Sequence, residues 1–118
     1  MTDPGTITGW HAHVYFDAAE VDRARALCEA VRDRFGIEMG RLHAAPVGPH
    51  PTGSCQLSVP GDKFAEVTAW LALNRDGHTV FCHAETGNVM ADHMDHVLWL
   101  GESQPLRLDV LTAIVEKG

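Results

Sequence analysis

Basic residues are few in this chain. Seven arginines and two lysines stand against 16 acidic residues, for a net charge of −7 with histidines neutral. The basic residues are scattered, with no run. Binding a phosphate backbone requires a broad basic face, so the composition argues against nucleic acid and against an anionic membrane surface. No stretch approaches the roughly 18 apolar residues of a membrane span. Met1-Thr2-Asp3-Pro4 has neither the basic nor the apolar region of a secretory leader, and a cytoplasmic protein is expected. Cysteine is scarce and odd in number: Cys28, Cys55 and Cys82, with no CxxC pair. Free buried thiols in a reducing cytosol are the expectation. There is no repeat and no low-complexity segment. No GxGxxG, P-loop, GxSxG or HExxH is present, so serine and cysteine nucleophile schemes have no supporting motif.

What is present suits one domain spanning residues 1–118. A chain that is 45% hydrophobic and 21% charged has the composition of a folded protein. It is long enough to bury a core without disulfides or a structural metal. A bound metal would therefore serve chemistry rather than folding.

The periodicity predicts strand, helix, strand, strand, helix, strand, then a tail. Residues 11–16 alternate, with Ala12, Val14 and Phe16 on one face and His11, His13 and Tyr15 on the other. Asp17, with Glu20 three residues on, opens a helix as in a capping box. Val21, Ala24, Leu27, Cys28, Val31 and Phe35 follow at helical spacing, and Gly36 ends it. Residues 37–43 form a second strand. Residues 45–53, APVGPHPTG, make a stiff loop carrying His50, which Pro51 biases toward an extended backbone. A third strand covers 54–59. Asp62 caps a second helix with Phe64, Val67, Trp70 and Leu71 as its apolar stripe, and a fourth strand covers 78–83. A short helix follows at about 108–115. This order predicts a ferredoxin-like βαββαβ sandwich, α+β, with a four-stranded antiparallel sheet in spatial order 4-1-3-2 and both main helices on one face. The start of the first strand is expected beside the end of an antiparallel fourth and the start of a parallel third. Because the other face of the sheet would lie bare, a homodimer is expected, with Leu98, Trp99 and Leu100 helping to cover it.

Eight histidines are many for this length. In that fold His11, His13, His43, His50 and His83 map to one end of the sheet, residues 92–96 leave from the same end, and only His78 lies elsewhere. Five converging imidazoles predict a metal site, and neutral imidazole suits iron, zinc, copper or nickel. His11-Ala12-His13 can supply two ligands, or one ligand and one acid/base group. Arg41 and His43 share one side of the second strand, and Gln56 and Ser58 one side of the third. A face of His11, His13, Tyr15, Arg41, His43, Gln56 and Ser58 reads as a groove for a polar small molecule. Arg41 there can pair with a substrate carboxylate, or sit in a surface ion pair. In Asp92-His93-Met94-Asp95-His96 the carboxylates can be ligands or can orient a ligand imidazole, and Glu85 is a further candidate.

At these residues the chain resembles the DOPA 4,5-dioxygenase family. The matching stretches are WHAHVYFD at 10–17, GRLHAAPVGPHPTG at 40–53, WLALNRDGHTVFCHAETG at 70–87 and DHMDHVLWLG at 92–101. The resemblance implies a ferredoxin-like fold, often dimeric, and extradiol cleavage of L-DOPA or a related catechol with non-haem Fe(II) and O₂. It also implies His13, His50 and His83 as metal ligands, with His11, His43 and His93 as acid/base groups or neighbours of the ligands. Tyr15, Arg41, Gln56 and Ser58 would bind substrate. The family's usual HPxTGD is replaced here by His83-Ala84-Glu85-Thr86-Gly87-Asn88. Two other readings fit the same scaffold: a dimeric small-molecule binding protein without redox chemistry, and a different metal-dependent enzyme such as a zinc hydrolase or isomerase. Metal content, and O₂ uptake with a catechol, separate the three.

Overall fold

Antiparallel strands build the architecture, and the computed structural model describes residues 1–117. The elements are β1 (Gly9–Phe16), α1 (Val21–Phe35), β2 (Glu38–His43), β3 (Gly53–Val59), α2 (Phe64–Asn74), β4 (Val80–Glu85), α3 (Val89–Met94), β5 (Val97–Leu100) and α4 (Leu108–Lys117). They form an α+β fold with one five-stranded sheet in the order β2-β3-β1-β4-β5. The expected 4-1-3-2 order is present, and a fifth strand extends it. Val97–Leu100 falls in the expected tail, since four residues are too short to show a period. It becomes a strand by pairing antiparallel with β4, Phe81 opposite Trp99 and His83 opposite Val97.

Local chemistry sets the element ends. The Glu20 side chain accepts from the Asp17 backbone N–H at 3.2 Å, closing a short 3₁₀ turn at Ala18–Glu20 that leads into α1. Gly36 ends α1 at φ 65°, and its N–H reaches the Arg32 carbonyl, a left-handed cap that glycine adopts without penalty. After α2, Asp76 and Gly77 both turn at positive φ. This delays β4 by two residues relative to the expected start at 78. His78 instead lies buried in the turn, its Nδ1 3.2 Å from the Tyr15 carbonyl.

One face of the sheet packs on α1 and α2. Ala12, Val14, Phe16, Cys55, Leu57, Val59, Val80 and Cys82 meet Ala24, Leu27, Cys28, Val31, Val67 and Leu71 in one core. All three cysteines are buried and free. No helix among the described residues is long and apolar enough to cross a membrane.

Two expectations about the other face need correction. β3 runs antiparallel to β1, with Trp10 opposite Val59 and Phe16 opposite Gly53. In a split βαβ unit the intervening strand must run against both of its neighbours, because β2 returns through α1 in the direction of β1. His43 and His50 therefore sit beside the end of β1, not its start. The face is also not bare. His13, Tyr15, Phe81 and His83 are all buried there, with Trp99 of β5 against Phe81 and His93 of α3 against His83. An uncovered face therefore does not call for a dimer.

Candidate metal centre and cleft

Period-two alternation on three adjacent strands lays the site out as a lattice. Ser58, His11, His83 and Val97 form one row across β3, β1, β4 and β5. Gln56, His13, Phe81 and Trp99 form the next. His43, Ser54 and Tyr15 form the third, across β2, β3 and β1. His11 and His83 are direct cross-strand partners, and His13 lies one row along. A nitrogen from each of His11, His13 and His83 lies within 4.8 Å of the other two. Among the described residues this is the set with metal-ligand spacing.

Hydrogen bonds orient these rings. His83 Nδ1 lies 3.1 Å from the Ala84 carbonyl, and His11 Nδ1 lies 3.0 Å from Glu85 Oε1. Both partners only accept, so each Nδ1 carries the hydrogen and each Nε2 presents a lone pair. His13 Nε2 and His83 Nε2 face each other at 3.2 Å. Two nitrogens about 2.1 Å from one ion, at a right or tetrahedral angle, stand roughly 3.0–3.4 Å apart. The pair thus needs a shared proton or a shared ion, and the donor set fits a divalent metal. A carboxylate holding the far nitrogen of a ligand imidazole is the usual way such a ring is fixed, and Glu85 does this for His11.

Burial keeps the imidazoles neutral. It pulls His13 well below the ordinary histidine range, with neighbouring His50 and His83 adding to the effect. Burial likewise pulls His83 to about 4, against the hydrogen bond to Ala84, and His50 to about 4, helped by His93 and His83. In His11, burial outweighs the opposing pull of Glu85 and lowers the ring. Neutral rings are what a metal requires.

The remaining candidates divide around this centre. His50, expected as a ligand, stands outside the 4.8 Å set. Its ring lies 4.1 Å from that of His13, and its Nδ1 is 2.8 Å from the Tyr15 hydroxyl. Tyr15, expected to line a groove, is buried, and burial raises its phenol. His93 packs 4.0 Å from His83 and its Nδ1 reaches the Val89 carbonyl at 2.8 Å, leaving Nε2 free. A cleft of about 320 Å³ opens beside the centre, lined by His13, Arg41, His43, His50, Ser54 and Gln56 among others. Arg41 and His43 reach it through a bulge: Met39 and Leu42 both oppose core residues of β3, and the register shifts between them. Gln56 Nε2 contacts His11 Nε2 at 3.4 Å and Ser58 Oγ at 3.3 Å. Ser58 opens instead onto a second cleft, of about 460 Å³, shared with His11 and Glu85.

The hydrogen bonds of Asp92 go to the turn and to His96, not to the imidazoles of the centre, where its charge only offsets part of the lowering of His83. Its carboxylate accepts from the Thr86 N–H, the Thr86 hydroxyl and His96 Nδ1 at 2.6–2.8 Å. Burial opposes its charge, but these bonds outweigh burial and hold it below the usual range. His96 is consequently turned to Asp92 and is exposed. The departures from HPxTGD have local roles. Asn88 caps α3, accepting from Ala91 N at 3.1 Å, a task asparagine performs as well as aspartate. The Ala84 N–H donates to the His96 carbonyl at 2.9 Å, a bond proline lacks the hydrogen to make. Phe81 and Trp99 wall the centre; Trp99 covers this face as expected, whereas Phe81 has no signal of its own in the sequence pattern. Only its place two residues before His83, on the same strand face, points to it.

The likeness to known proteins covers most of this site. The model of the Dopa 4,5-dioxygenase family matches residues 10–110. DOPA 4,5-dioxygenase of Amanita muscaria is 37% identical over 111 residues, covering 86% of this chain and 49% of that protein. The chain thus spans about half the length of that relative. An uncharacterized 21.2 kDa protein of Botryotinia fuckeliana is 25% identical, covering 98% of this chain and 69% of that one. A crystal structure of a candidate dioxygenase from Nostoc punctiforme superposes with a TM-score of 0.93 at 40% identity, covering 97% of this chain and 99% of that one. A match that runs from β1 into α4, taking in every strand and every histidine of the centre, places the chain in the DOPA 4,5-dioxygenase family.

Proposed function

We propose that this chain is an extradiol dioxygenase that opens the ring of L-DOPA or a related catechol with O₂ and Fe(II). The observation that carries the reading is the buried, neutral set His11, His13 and His83, with its facing nitrogens at 3.2 Å. We assign these three as ligands, with Glu85 fixing His11. Relative to the expectation from the resemblance, His11 takes the place of His50. Iron(II) would supply Lewis acidity toward the two catechol oxygens and the electrons that activate O₂. Both oxygen atoms end in the ring-opened semialdehyde, so no further reductant is needed.

The protein's own part is binding and proton transfer. Arg41, in the cleft wall, pairs with a substrate carboxylate in the bidentate manner suited to guanidinium. Gln56 offers an amide between the centre and the cleft. His43 in the cleft wall, and His93 packed against His83, would take a catechol proton, a task for which imidazole is suited. Phe81 and Trp99 keep water from the rear of the centre. Three free buried thiols fit a reducing, cytoplasmic setting. A homodimer would cover the edge of the sheet: Leu98 of edge strand β5 is 42% exposed and lines an apolar groove with Ile7, Trp10 and Val97. Light scattering giving the mass of one chain would remove it.

Anaerobic iron loading followed by O₂-electrode traces with L-DOPA tests the enzyme reading. Uptake with a yellow product is expected. Fully iron-loaded protein that consumes no O₂ with any catechol would put the non-redox binding protein ahead.

A further inference from the structure

Tyr15 is the single tyrosine of the chain, and it sits within the histidine face. Its ring packs against Phe81, Trp99 and His50 and is 2% exposed. Its hydroxyl lies 2.8 Å from His50 Nδ1. Two proton arrangements fit that distance. If His50 Nδ1–H donates, the phenol's own hydrogen is left buried without an acceptor. If the phenol donates, its hydrogen and the Nδ1 lone pair are both satisfied, and only an oxygen lone pair goes unused. A buried donor left unmade costs its desolvation, and carbonyl and hydroxyl lone pairs are left unfilled far more readily.

We infer that Tyr15 donates to His50 Nδ1 and so fixes His50 as its Nε2–H tautomer, making it a hydrogen-bond donor to the substrate in the cleft and not a metal ligand. An imidazole in that state has no free lone pair: one nitrogen accepts from Tyr15 and the other carries hydrogen. A second observation agrees independently, since His50 stands outside the set of nitrogens with metal-ligand spacing while its ring lies against His13 and lines the cleft. The backbone holds it there: His50 N–H donates to the Val47 carbonyl at 3.1 Å, and Arg107 N–H ties the preceding Pro49 carbonyl at 2.8 Å to the chain before α4. The inference rests on the cleft being the catechol site. There, a fixed N–H beside the centre meets the negative charge that develops on substrate oxygen, and such a pre-aimed dipole needs no reorganisation. His50 touches the substrate, while Tyr15 acts through His50 as a positioning residue.

The tautomer is read directly from two-bond ¹H–¹⁵N imidazole spectra of labelled, metal-free protein. An unprotonated, hydrogen-bonded Nδ1 and a protonated Nε2 are expected for His50. A protonated Nδ1 would overturn the inference. Co(II) titration supplies the second arm. His50→Gln, which keeps an N–H, should bind Co(II) within about threefold of wild type, whereas His13→Gln should lose more than about 100-fold, beyond the roughly 10–100-fold typical of losing a partner that only orients a ligand. Equal loss in both variants would return His50 to the ligand set. Tyr15→Phe removes one atom and should lower kcat for L-DOPA about 10-fold or more with Co(II) affinity unchanged. An unchanged kcat together with an unchanged His50 spectrum would refute the positioning role. The spectrum needs neither metal nor substrate, so its outcome is separate from failure of the dioxygenase reading, which would show as no Co(II) uptake by the wild type.

Discussion

The centres of both sheet faces are buried, but by opposite chemistry. On the helix side Ala12, Val14, Cys55, Leu57, Val80 and Cys82 are at most 1% exposed. On the other side His13, Tyr15, Phe81 and His83 are at most 4% exposed. Burying the first set removes apolar surface from water and stabilises the fold by about 25 cal/mol per Å². Burying the second set desolvates imidazoles and a phenol, which opposes folding unless each finds a partner. The partners are present: Ala84 for His83, Glu85 for His11 and Tyr15 for His50. One face therefore holds the protein together, while the other uses that rigidity to keep several imidazoles neutral and close.

The largest expected effects break the histidine face alone. His13→Ala and His83→Ala should each abolish iron retention and turnover yet leave a cooperative unfolding transition, because the helix-side core is untouched. Elemental analysis beside circular dichroism reads both. Loss of the fold with the iron would mean that the two faces are not separable. His43→Ala should keep its iron and lose roughly 10²–10⁴-fold in rate, as for removal of a general acid or base. Iron loss in this variant, measured in the same preparations, would place His43 nearer the metal than the cleft wall suggests.

Acid should act on the same face. His50 and His83 titrate at about 4 in the folded protein and near 6.5 when unfolded. Between those values the unfolded chain binds protons that the native state refuses. Stability of the metal-free protein is then fully present above about pH 6.5 and is lost as pH falls toward 4, by roughly 3 kcal/mol for each ring. Urea midpoints between pH 7 and 4.5 check this, and a flat profile would show that the rings are not held neutral. The converse test breaks the helix side: Leu57→Ala should cost about 2–5 kcal/mol in denaturant unfolding while the iron content of the folded fraction stays at the wild-type level. The smallest effect is expected at Asn88→Asp, which restores the residue of HPxTGD. Both side chains cap a helix, so a shift of only a few tenths of a kcal/mol in the same unfolding assay is expected. A change beyond about 1 kcal/mol would mean that Asn88 does more than cap α3.

Alternation at 11–16 and 54–59 and the helical spacing from Val21 to Phe35 are local patterns, and each fixes its element through contacts a few residues away. They suffice to put His11, His13 and Tyr15 on one face, Ala12, Val14 and Phe16 on the other, and Gly36 at a left-handed cap. They do not reveal the bulge between Met39 and Leu42, because a bulge is defined by what lies opposite. The antiparallel direction of β3, the strand made of Val97–Leu100 and the closure of the histidine face all depend on elements meeting across the sheet. The same holds for individual side chains. His13 and His83 are 70 residues apart and Tyr15 and His50 are 35 apart, so no spacing in the sequence could say that one pair shares a proton or an ion and the other sets a tautomer. Residue type and period determined which chemistry this protein carries and on which face. Only the packing of distant strands decided which imidazoles lie within reach of one ion, since ligation and hydrogen bonding depend on ångström separations that the folded backbone alone sets.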